Sequence, residues 1–122
     1  PLGVVQRRST DVFAVNDPVM RRALRYIHAH AHLPIKVTEV AEATGASRRA
    51  LEQRFQRHLG RSPAREIRRV RVNAVKAMLA DTELSLEEIA ERTGYERVEV
   101  LVRNFRSITE VAPSEWRRRR RT

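Results

Sequence analysis

Apolar positions recur every three to four residues along most of this chain, and the breaks between runs fall on Pro, Gly, Ser and Asp. Asn16-Asp17-Pro18 reads as a helix start, with Asn or Asp as cap and Pro in the first turn. Met20, Leu24, Ile27 and Ala31 follow at helical spacing, which predicts a first helix to about His32, and Pro34 ends it. Ile35 and Val40 then bracket a start at Lys36 as a hydrophobic staple, with Glu39 in the first turn and Gly45 at the next break. Ser47 caps the helix after that, with Leu51, Phe55 and Leu59 inward and Gly60 as its stop. Ser62-Pro63 opens a long helix to about Ala80, roughly 25 Å at 1.5 Å per residue. Ile67, Val70, Ala74, Ala77 and Met78 are its expected buried stripe.

The pattern then starts again. Ser85 and Glu88 form a capping box stapled by Leu84 and Ile89, Gly94 marks a turn, and a helix runs from about Arg97 to Thr109 with Leu101, Phe105 and Ile108 inward. Ala41-Glu42-Ala43-Thr44-Gly45 is mirrored by Ala90-Glu91-Arg92-Thr93-Gly94, and Leu51, Phe55 and Pro63 by Leu101, Phe105 and Pro113. Two copies are too few for a solenoid, so the spacing predicts a duplicated unit. The expected fold is all-α: two homeodomain-like helix-turn-helix subdomains on a long central linker helix, about seven helices in all. The divisions are a linker over 1–16, a first unit over 17–62, the linker helix over 63–80, a second unit over 81–117 and a basic tail over 118–122.

Charge turns this architecture toward a partner. The 122 residues carry a formal net charge of +10, and Lys36 and Lys76 are the only lysines, so arginine supplies nearly all of the positive charge. Arginine forks match phosphate oxygens and guanine edges, which makes double-stranded DNA the expected partner. Ser47 begins the second helix of the first unit. Arg48, Arg49, Glu52, Gln53 and Gln56 fall on the face opposite Leu51 and Phe55. Arg can bridge guanine O6 and N7, Gln can pair with adenine, and Glu can accept from cytosine N4. Arg54, Arg57 and Arg61 suit phosphates, which fix register without reading sequence.

Other chemistries find little support. There is no cysteine, which excludes disulfides, thiolate metal sites and thiol nucleophiles. No apolar run approaches the roughly 20 residues of a bilayer span, and the first residues lack a signal-peptide core, so a cytoplasmic location without membrane contact is expected. His28 and His32 stand four apart on a helix but lack a third ligand, so helix-end histidines are the ordinary reading and no metal is expected. Trp116 reads as a lid on the second unit's core, and the run Arg117 to Arg121 as a phosphate grip or a solvated tail. No phosphate-binding glycine loop or acid/base constellation is present, so neither a cofactor nor an enzyme activity is expected. The competing readings are a nonspecific basic nucleic-acid binder and an interaction module that contacts polymerase or a partner chain through the valine-rich stretch Val98 to Val102.

The residues from about 17 to 117 resemble the AraC/XylS family of bacterial regulators. The likeness is carried by Pro34-Ile35 through Gly45-Ala46-Ser47, Leu51 to Phe55, Gly60-Arg61-Ser62-Pro63, Ile67, Arg71 to Leu79, Leu84 to Tyr95, Arg103 to Phe105 and Pro113-Ser114-Glu115-Trp116-Arg117. Gly3 to Asp11, followed by an Asp-Pro helix, resembles the xylose-operon branch, in which a sugar-sensing domain precedes the DNA-binding part. The chain begins with Pro and not Met, and that sensor is expected to be missing from it. The resemblance implies an operator-binding transcription activator that positions RNA polymerase, with a sugar-like effector on the sensor alone. It implies base contacts from Arg48, Arg49, Glu52 and Gln53 in the first unit, and from Val98, Glu99, Val102 and Arg103 in the second, where Arg97 opens the helix. The second unit departs from the family pattern: Arg97 takes the place of a small cap, Val98, Val100 and Val102 replace polar or aromatic residues, and Glu110 replaces Gly. Lys36 and Glu66 also stand where Ser/Thr and an aromatic are usual. The first unit is therefore expected to carry most base specificity, with the two reading helices held roughly 34 Å apart, one DNA turn.

Overall fold

A computed structural model of the chain describes residues 16–121, with side chains through Arg120. All but Asn16 of the expected linker, including the Gly3–Asp11 motif, lies outside the described residues, as does Thr122. The described residues form seven helices and no strand: α1 (Pro18–His30), α2 (Val37–Thr44), α3 (Arg48–Leu59), α4 (Pro63–Asp81), α5 (Leu86–Arg92), α6 (Val98–Thr109) and α7 (Pro113–Arg121).

Local chemistry sets most boundaries. Asp17 caps α1, its carboxylate accepting from the N–H groups of Val19 (3.0 Å) and Met20 (3.4 Å). Ser47, Ser62 and Ser85 cap α3, α4 and α5 in the same way. The box at Ser85 is complete, with Glu88 N–H donating to Ser85 Oγ (3.2 Å) and Ser85 N–H to Glu88 Oε1 (2.9 Å). Lys36 cannot accept, so α2 has half a box: its N–H donates to Glu39 Oε1 at 2.6 Å. The threonine of the duplicated motif explains itself here. Thr44 and Thr93 are both buried, and each hydroxyl donates to a carbonyl of its own helix, Ala41 at 2.8 Å and Ile89 at 2.7 Å.

Two cores result. Met20, Leu24, Ile27, Val40, Leu51, Phe55 and Ile67 close the first; Val72, Val75, Leu79, Ile89, Tyr95, Leu101 and Phe105 close the second. Trp116 lies edge-on to Phe105, with centroids 6.0 Å apart at 82°, and covers the second core as a lid.

The stripe expected on α4 is corrected. Of its five residues only Ile67 is buried; Val70, Ala74 and Met78 are half-buried and Ala77 is exposed. The helix serves two cores, so it has two faces. Pro63, Glu66 and Ile67 turn to the first unit; Val72, Val75 and Leu79, nearly on the opposite side at about 100° per residue, turn to the second. A single stripe satisfies one core only. The arginine run set apart as a tail at 118–122 continues α7 as far as Arg121, while α1 ends at His30, two residues early.

Candidate nucleic-acid interface

The outer side of α3, expected to read bases, faces solvent. With Leu51 and Phe55 at zero exposure beneath it, α3 turns Ser47, Arg48, Arg49, Glu52, Gln53, Gln56 and Arg57 to solvent. Ser47 keeps its Oγ on Ala50 N–H at 3.1 Å, and Arg48 Nε pairs with Glu52 at 3.2 Å one turn on. Arg49, Gln53, Gln56 and Arg57 make no side-chain bond among the described residues. The exposed Arg48–Glu52 pair holds less than about 0.5 kcal/mol, so either partner is released at small cost.

Helix α6, at the matching place in the second unit, presents a different face. Arg97, Glu99 and Arg103 are exposed on α6, with Arg97 Nε 3.9 Å from Glu99. Val98, Val100 and Val102 are half-buried, and Val100 and Val102 lean on the second core. No side chain caps α6, and its C-terminal turn places Glu110 in the left-handed region at φ 69°, where Gly60 stands at the end of α3.

Two arginines expected on phosphates are paired with carboxylates of the fold, their side chains still partly exposed. Arg54 Nη1 donates to Asp17 Oδ2, which His58 Nε2 also approaches at 3.3 Å. Burial disfavours the charged Asp17, but Arg54 and the N–H groups of Met20 and Val19 outweigh it and hold the carboxyl below its usual 3.8. Arg61 donates to Glu66, whose side chain is 2% exposed and also accepts from Arg69 at 3.2 and 3.4 Å. These buried carboxylates need cations, and the nearest arginines supply them. Arg117 likewise turns inward, donating to the carbonyls of Leu79 (3.0 Å) and Thr82 (3.2 Å) at the end of α4.

Sequence reasoning missed Arg71 as a group of its own. It projects from α4 toward the junction of the units, donating from Nε to the Ala31 carbonyl (2.8 Å) and from Nη2 to that of Leu33 (2.6 Å). Its guanidinium lies 5.5 Å from the Tyr95 ring centre, and a groove of about 270 Å³ opens beside it between Lys36 and Arg97. Burial lowers the Arg71 pKa, opposed by Tyr95 and Glu96, and burial raises that of the Tyr95 hydroxyl. Among the described residues no cluster of three or more His, Asp or Glu is arranged to hold a metal ion, and no helix is long and apolar enough to cross a membrane.

Residues 40–119 match a family model described as a helix-turn-helix domain. The C-terminal domain of AraT, a response regulator from Geobacillus stearothermophilus, superposes with a TM-score of 0.82 at 31% identity, over 85% of this chain and 87% of that one. The chain belongs to the AraC-type helix-turn-helix family of DNA-binding transcription regulators. The DNA-binding domain of AdpA, a global transcriptional factor solved in complex with a target DNA, has the same AraC-type fold (TM-score 0.80, 25% identity, 87% of this chain and 95% of that one). Over 117 residues this AraC-type chain is 34% identical to the xylose operon regulatory protein of Escherichia coli K12, covering 96% of itself and 30% of that protein's length.

Proposed function

We propose that this AraC-type chain binds a double-stranded DNA operator in two successive major grooves, α3 in one and α6 in the next, and that it activates transcription of a sugar-catabolic operon. The observation that carries the reading is the outer face of α3: seven polar or charged side chains, Ser47 to Arg57, stand in solvent opposite a fully buried Leu51–Phe55 face. Arg48, Arg49, Glu52, Gln53 and Gln56 read base edges there, and Arg57 holds a phosphate. On α6, Arg103 and Glu99 read a guanine and a cytosine, the methyls of Val98 and Val102 meet thymine methyls, and Arg97 reaches the backbone. RNA polymerase is the protein partner, and a sugar-like effector acts on a sensor domain outside this chain, in keeping with the likeness to the xylose operon regulatory protein. No cofactor, membrane or chemical step enters this reading, and the chain is not an enzyme.

Selection of sites from a random double-stranded pool tests it. The expected product is a two-part motif with its halves about one helical turn apart, bound at least about a thousandfold more tightly than random DNA. A pool that stays random, with binding that tracks salt alone, defeats the proposal.

A further inference from the structure

Among the described residues the substantial helix packing lies within each unit or against α4, and the two cores grip nearly opposite sides of that helix. A lone connecting helix bends and twists. Something must set the angle between the units. We propose that Arg71, with Gly94 and Tyr95 against it, determines which half-site spacing the chain accepts. The proposal rests on the two-groove reading above.

The joint can be followed residue by residue from one reading helix to the other. The Ala31 and Leu33 carbonyls that Arg71 grips belong to the turn leading into α2, and α2 packs on α3. Two donors of one planar guanidinium engage them, which fixes its plane as well as its position. The guanidinium's other neighbour is the buried Tyr95, whose hydroxyl accepts from Asn104 Nδ2 at 3.2 Å, and Asn104 belongs to α6. Gly94 closes the joint. It sits at φ 91°, and a Cβ there would lie 2.3 Å from the Ala31 carbonyl oxygen and 2.8 Å from Arg71 Nε. The turn of the second unit thus touches backbone of the first, with no room for a side chain between them. One link ties both units without depending on the straightness of α4.

The DNA makes this testable. One inserted base pair carries the second half-site about 3.4 Å along the duplex and turns it by roughly 34°. A stiff joint cannot follow that step, and a loosened one can. The experiment measures affinity for the selected site and for versions with one base pair added or removed between the halves. It compares the wild-type chain with Arg71→Ala and Arg71→Lys, each first shown by thermal melting to be folded. The wild-type chain should lose about tenfold or more on either change of spacing. Arg71→Ala should bind the best site more weakly yet lose less than about threefold on changing the spacing. Arg71→Lys keeps the charge but not the fork, so it should resemble Arg71→Ala; this separates the joint from a phosphate contact. Gly94→Ala, which forces the two backbones apart, should move or flatten the preference without touching any charge. A wild-type spacing penalty retained by the folded Arg71 variants overturns the proposal and leaves two-groove binding intact. A selected pool without a two-part motif overturns both.

Discussion

Helix α3 begins on Ser47 and ends on Gly60; α6, at the matching place in the second unit, begins on Arg97 and ends on Glu110. Ser47 Oγ accepts a helix N–H, and Gly60 takes its left-handed turn without strain. Arg97 offers no acceptor, and Glu110 sits at the same φ of 69° with a side chain attached. Each departure costs about 1 kcal/mol of local helix stability. The second unit has two features that the first lacks. Phe105 carries the edge of Trp116, and α5 opens on a complete capping box where α2 has half of one. The comparison teaches that two copies of one motif, each with a buried Phe beneath its second helix, differ in what is added: capped ends in the first, an aromatic edge contact in the second.

Large-to-small changes in the cores should separate the units most. Phe55→Ala and Phe105→Ala should each remove about 3–5 kcal/mol from unfolding free energy in urea, since both rings are at zero exposure. Phe105→Ala should cost up to about 1.5 kcal/mol more, because the edge contact with Trp116 goes with it. Equal losses would mean that the lid contributes nothing.

The reading faces come next. Arg49→Ala should lower discrimination between operator and random DNA by about 1–3 kcal/mol at fixed salt, and Arg103→Ala by less. Competition binding with one operator measures both, and a larger loss for Arg103→Ala would reverse the assignment of specificity to the first unit.

Smaller effects belong to the helix ends. Glu110→Gly and Arg97→Ser should each raise stability by about 1 kcal/mol, whereas Gly60→Ala and Ser47→Ala should lower it by a similar amount. Thermal melting of the four variants makes the exchange symmetric, and an unchanged melting point for Glu110→Gly would show that the turn carries no strain.

Acidification should show the smallest difference. The pKa of Asp17 is lowered in the folded chain, so its stabilisation is fully present above its ordinary value of 3.8 and is lost as pH falls through the lowered one. Glu88 is lowered likewise by its hydrogen bonds with Ser85, but it stands at the surface. Melting as a function of pH should therefore lose more through Asp17, in the first unit, and Asp17→Asn should flatten the profile more than Glu88→Gln does.

Much of this molecule could be read along the chain because the relevant physics is local. Serine caps, glycine turns and the alternation of Leu51 and Phe55 with Arg49 and Gln53 act within one or two helical turns, and the boundaries and the free face of α3 follow from them. Arginines were legible as charge but not as partners. Arg49 and Arg54 look alike in sequence, yet Arg54 is paired with Asp17, 37 residues earlier in the chain.

The sequence by itself settled the duplicated helix-turn-helix plan, the caps and the outward face of α3, since neighbours along a helix decide these. Tertiary structure alone decided that α4 buries two opposed faces, that Arg54, Arg61 and Arg117 serve the fold, and that Arg71 joins the units at Gly94. The reason is reach: a long cation satisfies whichever carbonyl or carboxylate the folded chain brings within about 3 Å, and for Arg54, Arg71 and Arg117 that acceptor lies 35 to 40 residues away.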